Sequence, residues 1–304
     1  MRLPYQDLSL PQLRNFCTVV SCGSYAEAAR RAELSTSAVW EQVRGLERHF
    51  ELLLLENRRG RIEPTPDGRR LLELVLPLLA GLDSAKQSLH QGRGQAPGMI
   101  TVASGVRMLS EEVSRAVARF RGKYPEVRVR LTYADYREIE RLVEEGQADV
   151  ALALEPRAGQ PASRRIEFEP AYELDYLVVA RKGHPLLSKK RLGLSDVVEY
   201  PLIVGTPGTA SRECIDEVLH RHNLLRQATV AVETNSAVVT FACARAGAGI
   251  GVTAGHREHV AALGLGVRSL RKWFGAARYV FLWTKGAYRL PMHTELAEMI
   301  RGSG

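Results

Sequence analysis

The sequence has 304 residues, 45% of them hydrophobic, which is enough to bury a substantial core and suggests two or three domains. The net charge is +8, but residues 1–97 hold 13 Lys and Arg against 11 Asp and Glu, so charge does not single out a nucleic-acid-binding region. The N-terminus lacks a signal-peptide core, no apolar run approaches the roughly 20 residues of a membrane span, and the four cysteines form no C-x-x-C pair. We therefore expect a cytoplasmic protein with no membrane partner and buried thiols in place of disulfides.

Residues 24–48 have the pattern of two short helices joined by a tight turn. Ser24 and Glu27 have the spacing of a capping box at the start of the first helix, and Leu34 is expected to fill the corner. The second helix has a possible cap at Ser35, Thr36 or Ser37 and an apolar stripe in steps of three and four, formed by Ala38, Val39, Val43, Leu46 and Phe50. Its other face is polar and consists of Thr36, Ser37, Trp40, Glu41, Arg44 and Arg48. The pattern predicts a helix-turn-helix that presents this face to DNA, although an alanine-rich helix pair is also typical of plain scaffold.

An apolar run, a basic turn and a short return strand follow between Leu52 and Pro64. They predict a hairpin wing beside the second helix, on which Arg58, Arg59 and Arg61 reach phosphates or a minor groove. Three arginines in a loop are by themselves also typical of a solvated surface.

A long helix is predicted from residue 66 to about residue 90. Thr65, Pro66 and Asp67 supply a cap, a proline at the first position and an acid in the first turn. Apolar residues then recur in steps of four and three, at Leu71, Val75, Leu78, Leu82, Ala85 and Leu89. This heptad seam predicts dimerisation along a rod of about 37 Å, although an ordinary core helix shares the pattern. Pro77 predicts a kink in the rod, and the glycine-rich residues 91–98 predict a hinge.

Beyond the hinge, short apolar strands alternate with helices. Strands are predicted at 99–103, 127–133, 148–154, 174–180, 201–204, 229–232, 249–253 and 277–284, and helices at 110–123, 136–145, 210–222, 237–246 and from 291 onward. This alternation predicts an α/β domain with a parallel sheet.

The first seventy residues resemble the winged helix-turn-helix of LysR-type transcriptional regulators. The resemblance rests on Leu13, Phe16, Gly23, Ser24, Tyr25, Ala28, Ala29, the run from Ser35 to Val39, Gln42, Leu46, Glu47, Thr65, Pro66 and Gly68, in that order. The chain departs from the family pattern at Trp40, usually a serine, at Glu51, usually a glycine, at Leu55, usually a phenylalanine, and at Asn57, usually an arginine. The later chain is similar to the effector domain of the same family at residues 98–103, 146–152, 184–186 and 246–251.

This resemblance implies an all-α winged helix-turn-helix at 1–65, a linker and dimerisation helix at 66–91, and an effector-binding domain at 92–304. The effector domain is expected to be α/β, with two Rossmann-like subdomains around a cleft, the first at about 98–171 and 275–304 and the second at about 172–274. The implied function is that of a DNA-binding transcriptional regulator controlled by a small, often anionic, metabolite. The implied partners are double-stranded DNA, the effector, a second copy or three further copies of the chain, and RNA polymerase if the protein activates transcription.

The residues expected to contact DNA are Arg30, Ser35, Thr36, Ser37, Trp40, Glu41, Arg44, Arg58, Arg59, Arg61 and Thr65. Three segments are expected to form the effector site: the loop after the first strand, the loop at 205–211 and the helix start at 235–236. Free N–H groups and a helix dipole at such positions favour an anion, although each segment alone is also typical of a simple helix cap. The residues expected to bind the effector are Ser104, Gly105, Val106, Arg107, Tyr133, Thr206, Pro207, Gly208, Thr209, Asn235, Ser236 and Thr253.

Two further patterns do not support an enzyme or a metal site. Val252 occupies the third glycine position of a dinucleotide fingerprint that begins at Gly247. The pairs His220 with His222 and His256 with His259 have no carboxylate or cysteine at a spacing that completes a ligand set. We expect no enzymatic activity and no cofactor other than the effector; the alternative is a cytoplasmic solute-binding or enzymatic α/β protein with an accessory helical segment.

Overall fold

The computed structural model describes residues 8–91, 98–156, 163, 165–287 and 289–304, apart from the side chains of 80 and 83–91. The chain divides into two compact units, Met1–Leu89 with Lys285–Tyr288, and His90–Thr284 with Arg289–Gly304. Among the described residues, no helix combines the length and the apolar character that a bilayer crossing requires.

The first unit contains three short helices, a hairpin and a long helix. They are α1 (Leu10–Cys22), α2 (Tyr25–Ala32), α3 (Thr36–Phe50), β1 (Leu55–Arg58), β2 (Arg61–Pro64) and α4 (Pro66–Gln91). The core of this unit is formed mainly by Phe16, Val19, Ala28, Ala29, Val39, Val43, Leu46, Leu54, Leu55 and Leu72. The predicted helix pair, wing hairpin and long helix are therefore confirmed as secondary structure.

Three local predictions in the helix pair are wrong. Ser24 caps α2, since its hydroxyl accepts from the N–H of Glu27 at 3.5 Å, but the Glu27 carboxylate pairs with Arg30 and Arg31 instead of completing a capping box. Leu34 is exposed at the corner, and Phe50 lies outside the buried stripe of α3. The complete capping box of this unit lies at the start of α1, outside the stretch in which it was expected.

The start of α4 follows its prediction. The Thr65 hydroxyl accepts from the N–H of Gly68 at 3.0 Å, and the helix then runs past Pro77 to Gln91. At Gly68 the helix passes close to the chain before the hairpin, because a Cβ at this position would lie 1.9 Å from the carbonyl oxygen of Leu54. Only glycine fits this contact.

The second unit is a mixed α/β fold. Its strands are β3 (Met99–Ser104), β4 (Arg128–Tyr133), β5 (Val150–Leu154), β6 (Ile166–Arg181), β7 (Leu202–Val204), β8 (Val230–Glu233), β9 (Ile250–Gly255), β10 (Leu265–Ser269) and β11 (Ala276–Thr284). Its helices are α5 (Val106–Met108), α6 (Ser114–Lys123), α7 (Tyr136–Glu144), α8 (Pro185–Ser188), α9 (Leu194–Val198), α10 (Ala210–Arg221), α11 (Ala237–Ala246), α12 (Arg257–Ala262), α13 (Arg271–Phe274) and α14 (Pro291–Arg301), with a π-helical turn at Leu109–Val113 and a 3₁₀ turn at Leu225–Gln227.

The sheet is mixed, so the prediction of a parallel sheet is wrong at its centre. The strand order is β4-β3-β5-β11-β6-β9-β7-β8, and β10 pairs with β6. The pairs of β3 with β4 and β5, and of β7 with β8 and β9, are parallel, whereas β11 and β6 run antiparallel to their neighbours. The sequence pattern missed the first half of β6, all of β10, and the short helices α5, α8, α9, α12 and α13.

Gly68→Ala is expected to lower the free energy of unfolding, because the new methyl group meets a backbone oxygen that cannot move aside. Overpacking of this kind costs about 1–3 kcal/mol. Urea denaturation followed by circular dichroism measures the change. The matched control is Gly122→Ala in α6, where no atom lies within 4 Å of the added Cβ; it should stabilise the protein by about 0.5–1 kcal/mol. Equal effects of the two substitutions would contradict the close approach of α4 to Leu54.

Candidate functional site

The outer face of α3 presents a row of polar side chains. Ser35 is the N-cap, its hydroxyl accepting from the N–H of Ala38 at 3.1 Å and lying 3.0 Å from the hydroxyl of Ser37. Six predicted DNA-contacting residues of this segment are exposed: Ser35, Thr36, Ser37, Trp40, Glu41 and Arg44. The inner face, with Val39, Val43 and Leu46, is fully buried. The helix is thus anchored by one side and free to contact a ligand with the other.

Trp40 and Arg44 form one unit on this face. The Arg44 guanidinium carbon lies 5.2 Å from the centroid of the Trp40 ring, and Nη1 donates to Glu47 Oε2 at 3.0 Å. A stacked, hydrogen-bonded arginine loses less side-chain freedom on binding than a free one. Trp40, a departure from the family pattern, therefore holds Arg44 in place.

Glu47 connects this helix to the hairpin. Its side chain is buried, and Oε1 accepts from the N–H groups of Leu54 and Leu55 at 2.9 and 3.2 Å. A buried carboxylate with three hydrogen bonds is well satisfied, and it fixes the start of β1 relative to α3.

The hairpin turns in two residues, Arg59 and Gly60, both with positive φ (53° and 84°). Such turns match the twist of the flanking strands. The Asn57 side chain accepts from the N–H of Gly60 at 3.0 Å, so this departure from the family pattern stabilises the turn. Arg58 and Arg61 lie directly opposite each other in the ladder, and all three wing arginines are exposed. Arg58 Nη2 forms an ion pair with Glu56 Oε1 at 2.9 Å, which compensates part of the positive charge of the wing.

The other two residues expected at DNA, Arg30 and Thr65, also make contacts within the chain. Arg30 forms an ion pair with Glu27 while remaining largely exposed. The Thr65 hydroxyl donates to the carbonyl of Leu53 at 2.7 Å and caps α4, so it serves the fold.

The described part of α4 exposes a different seam from the predicted one. Leu71 packs against the core of the first unit and Val75 is buried, so Val75 has no surface to offer a partner. Leu78 and Leu82 are exposed as expected, and Leu74, which was not predicted, is exposed as well. The side chains of Ala85 and Leu89 lie outside the described ones.

A cleft in the second unit has a cavity of about 140 Å³. Its lining comes from the starts of three helical segments and from three strands, and consists of Gly105, Val106, Arg107, Met108, Leu154, Gly205, Thr209, Ser211, Thr234, Asn235, Ser236, Ala237, Thr240, Val252, Thr253, Ala254 and Tyr279.

The structure brings together seven of the twelve residues predicted for the effector: Gly105, Val106, Arg107, Thr209, Asn235, Ser236 and Thr253. Ser104 is buried, its hydroxyl donating to the carbonyl of Leu152 at 2.7 Å. Tyr133 is 54% exposed, and Tyr133, Thr206, Pro207 and Gly208 do not line the cleft. The sequence pattern missed residues brought in by tertiary contact, above all Tyr279 from β11.

Helix starts meet at this cleft. Thr209 caps α10 and Ser236 caps α11, the side-chain oxygens accepting from Arg212 and Val239 at 3.3 and 3.5 Å. Gly105 precedes α5 without a side-chain cap. The first N–H groups of a helix lack intrahelical partners and carry the positive end of its dipole, so three such ends favour a small anion.

Arg107 lines the cleft and is paired with two carboxylates, while its buried Nη2 has no hydrogen-bond partner among the described residues. Its side chain is 4% exposed, and Nη1 donates to Glu112 Oε1 at 2.7 Å and to Glu111 Oε2 at 3.1 Å. The guanidinium carbon lies 4.9 Å from the centroid of the Tyr279 ring, which stacks on Tyr172 at 5.0 Å. Glu112 thus compensates the charge of Arg107, which is the one cationic side chain among the described residues that line the cleft.

Glu112 lies at the centre of this network. Oε1 also contacts His256 Nε2 at 2.9 Å. Burial by itself raises the pKa of Glu112, but the hydrogen bond from His256 and the charge of Arg107 outweigh it, and the pKa falls below its ordinary value. The carboxyl group therefore stays ionised at neutral pH.

Glu112→Gln is expected to destabilise the protein by about 3 kcal/mol at pH 7, because it leaves the Arg107 charge buried with only the longer contact to Glu111. Since the pKa of Glu112 is lowered on folding, its contribution is complete above the ordinary value of 4.5 and is lost as the pH falls through the folded-state pKa. The difference between wild type and variant should shrink below pH 4.5. Urea denaturation at several pH values tests this, with the exposed Glu258→Gln on α12 as control. A difference that does not change with pH would contradict the assigned role.

Comparisons with known proteins agree with this arrangement. Residues 93–304 match the model of the LysR substrate binding domain, and residues 10–69 match that of the bacterial regulatory helix-turn-helix protein, lysR family. The transcriptional activator protein LysR of Escherichia coli is 29% identical over 250 residues, covering 81% of this chain and 77% of that relative. The transcriptional regulator CysL of Bacillus subtilis is 23% identical over 226 residues, covering 74% of each.

Solved structures show the same fold. A full-length OxyR variant from Pseudomonas aeruginosa superposes with a TM-score of 0.66 at 16% identity, covering 97% of this chain and 95% of that one. Full-length CbnR complexed with its target DNA superposes with a TM-score of 0.53 at 21% identity, covering 97% and 99%. Since the first family model alone spans more than half of the sequence, this chain belongs to the LysR family of DNA-binding transcriptional regulators, with a substrate-binding effector domain.

Proposed function

We propose that this regulator binds DNA as a dimer or a tetramer through the exposed face of α3 and the hairpin wing, and that a small anion in the cleft controls it. The observation that supports the proposal most is the Trp40, Arg44 and Glu47 unit, which places a held guanidinium on the outer face of a helix-turn-helix. Arg58, Arg59 and Arg61 add a cluster of positive charge at the wing, suited to phosphate.

The assembly uses the exposed leucines of α4. Leu74, Leu78 and Leu82 follow steps of four along one face and are each more than half exposed in the single chain. Exposed leucines in such a row favour burial against a second copy. A dimer of this kind reads two related half-sites on DNA.

The effector is a small anion bound by helix starts and hydroxyl groups. The cavity of about 140 Å³ is similar to an engineered cavity that holds one benzene molecule. The polar groups of its lining are hydroxyls, one amide side chain and backbone N–H groups. Arg107 also lines the cavity, but its charge is paired with Glu112. The described cleft lining contains no Asp, Glu, His, Lys or Cys, and this supports a binding role in place of catalysis.

In the proposed mechanism, the anion draws the helix starts of the two subdomains together. The change in subdomain angle alters the spacing of the paired DNA-binding units and thereby the bend of the DNA. The protein acts in the cytoplasm, and contact with RNA polymerase follows if it activates transcription.

Selection of bound sequences from a random duplex library tests the DNA-binding proposal with the full chain. We expect an enriched site with two related half-sites. Arg44→Ala should weaken specific binding by about 1–3 kcal/mol, because a held arginine at a base edge contributes about that much. Arg226→Ala, which removes an exposed charge from the second unit, is the control. Unchanged affinity of the Arg44 variant would remove this residue from the interface.

Thermal unfolding in the presence of sodium salts of small carboxylates, sulfate and phosphate, at constant ionic strength, tests the effector proposal. An anion at 100 times its Kd should stabilise the protein by about 2.7 kcal/mol. Ser211→Leu fills part of the cleft and should abolish the shift, whereas Ser188→Leu, exposed on α8, should not. A shift of the same size in both variants would place the anion elsewhere.

A further inference from the structure

The fold gathers a cluster of metal-ligating side chains outside the cleft. Glu111, His256 and His259 each offer one ligand atom, and these atoms all lie within 4.8 Å of one another. His256 and His259 belong to the start of α12, whereas Glu111 comes from the π-helical turn about 145 residues earlier. No sequence spacing links the carboxylate to the histidines.

A second carboxylate stands behind the three. Glu112 Oε1 contacts His256 Nε2 at 2.9 Å, while Glu112 Oε2 is fully buried and has no hydrogen-bond partner among the described residues. A buried carboxylate oxygen without a partner is costly unless a proton donor or a cation satisfies it. Two imidazoles and one carboxylate form a donor set that suits Zn²⁺ and neighbouring divalent transition metals, and Glu112 holds the His256 ring from behind.

The cluster is open to solvent on one side and closed on the other. The side chain of His259 is 37% exposed and that of Glu112 is not exposed at all, so an ion has a path of entry and a buried wall. The ring centroids of the two histidines lie 4.9 Å apart, and His259 Nδ1 lies 3.4 Å from Glu111 Oε2. Small side-chain rotations would place the imidazole nitrogens and the carboxylate oxygen about 2.0–2.2 Å from a common ion, as Zn²⁺ requires.

Two guanidinium groups contact the cluster, and their positive charges oppose the binding of a cation. Arg107 is held by both glutamates, and Arg115 Nη1 lies 3.2 Å from His259 Nε2. Arg107 is buried and stays in place. Arg115 is exposed, and its Nε and Nη2 donate to the carbonyls of Glu111 and Ser303 at 3.2 and 3.0 Å, so only the contact with the imidazole has to be given up when an ion binds.

We propose that Glu111, His256 and His259, backed by Glu112, form a binding site for a divalent transition-metal ion. The ion would join two elements that border the cleft. One is the helical stretch that supplies Val106 and Met108 to the lining, and the other is α12, which follows directly on β9 with its lining residues Val252 and Thr253. It would therefore fix two walls of the cleft relative to each other. This site is separate from the cleft, and metal binding does not depend on the identity of the effector.

The test is direct metal binding by the full chain without an affinity tag, after treatment with a chelator. Zn²⁺ is titrated in competition with a chromophoric chelator, and Co²⁺ is followed by its visible absorption. One ion per chain is expected. Glu111→Gln and His259→Ala, chosen because both side chains are partly exposed, should each weaken binding on the order of ten-fold or more. Arg115→Ala should strengthen it, because a competing cation is removed.

The control is the double substitution of His220 and His222 by alanine, an exposed histidine pair at the end of α10. It should leave the affinity unchanged, and circular dichroism confirms that each variant is folded. Binding of no stoichiometric metal by the wild type would overturn the proposal. Loss of binding in the His220 and His222 variant, with retention in the Glu111 and His259 variants, would do the same.

Discussion

The antiparallel pairing of β6 with β11 is the constraint on which the effector-binding unit depends. β11 lies between β5 and β6. β6 is 16 residues long and pairs with β11 on one side and with β9 and β10 further along, so β6 and β11 connect the two halves of the sheet. The register shifts between Tyr279 and Val280, opposite a stretch of β6 that contains Pro170, which has no N–H to donate. Tyr279, directly at this irregularity, lines the cleft and stacks on Tyr172. The cleft therefore lies beside the strands that both halves of the sheet share.

The buried pair of Arg107 and Glu112 then determines the chemistry of that cleft. The guanidinium is paired from behind, and the other polar groups that line the cleft are helix starts, hydroxyls and one asparagine. These groups support the proposed small anion, because several neutral donors at helix starts favour negative charge. The same Glu112 extends the network to His256 and so connects the cleft with the histidine cluster on α12.

In the first unit, a single buried carboxylate has a comparable role. Glu47 binds Arg44 with one oxygen and the start of β1 with the other, so the exposed helix face and the wing are held by one residue. Three of the four departures from the family pattern have structural reasons. Trp40 stacks on Arg44, Asn57 closes the hairpin turn, and Leu55 fills the core. Glu51 ends α3 with a positive φ of 53°, a conformation in which glycine would be less strained.

Local patterns in the sequence determined the helix pair, the hairpin, the start of α4 at Thr65, and most strands and the longer helices of the second unit, because caps, turns and apolar periodicity act over a few residues. They also identified Gly105, Thr209 and Ser236, which line the cleft as loop and cap residues. Tertiary structure alone decided the rest. The direction of β6 and β11 depends on strand partners far away in sequence, and Val75 is buried where a heptad pattern placed it at a partner. Arg107 pairs with Glu112 at the wall of the cleft, and Glu111 meets His256 and His259 across about 145 residues. These outcomes depend on which distant groups share a low-dielectric interior, and no local spacing records that.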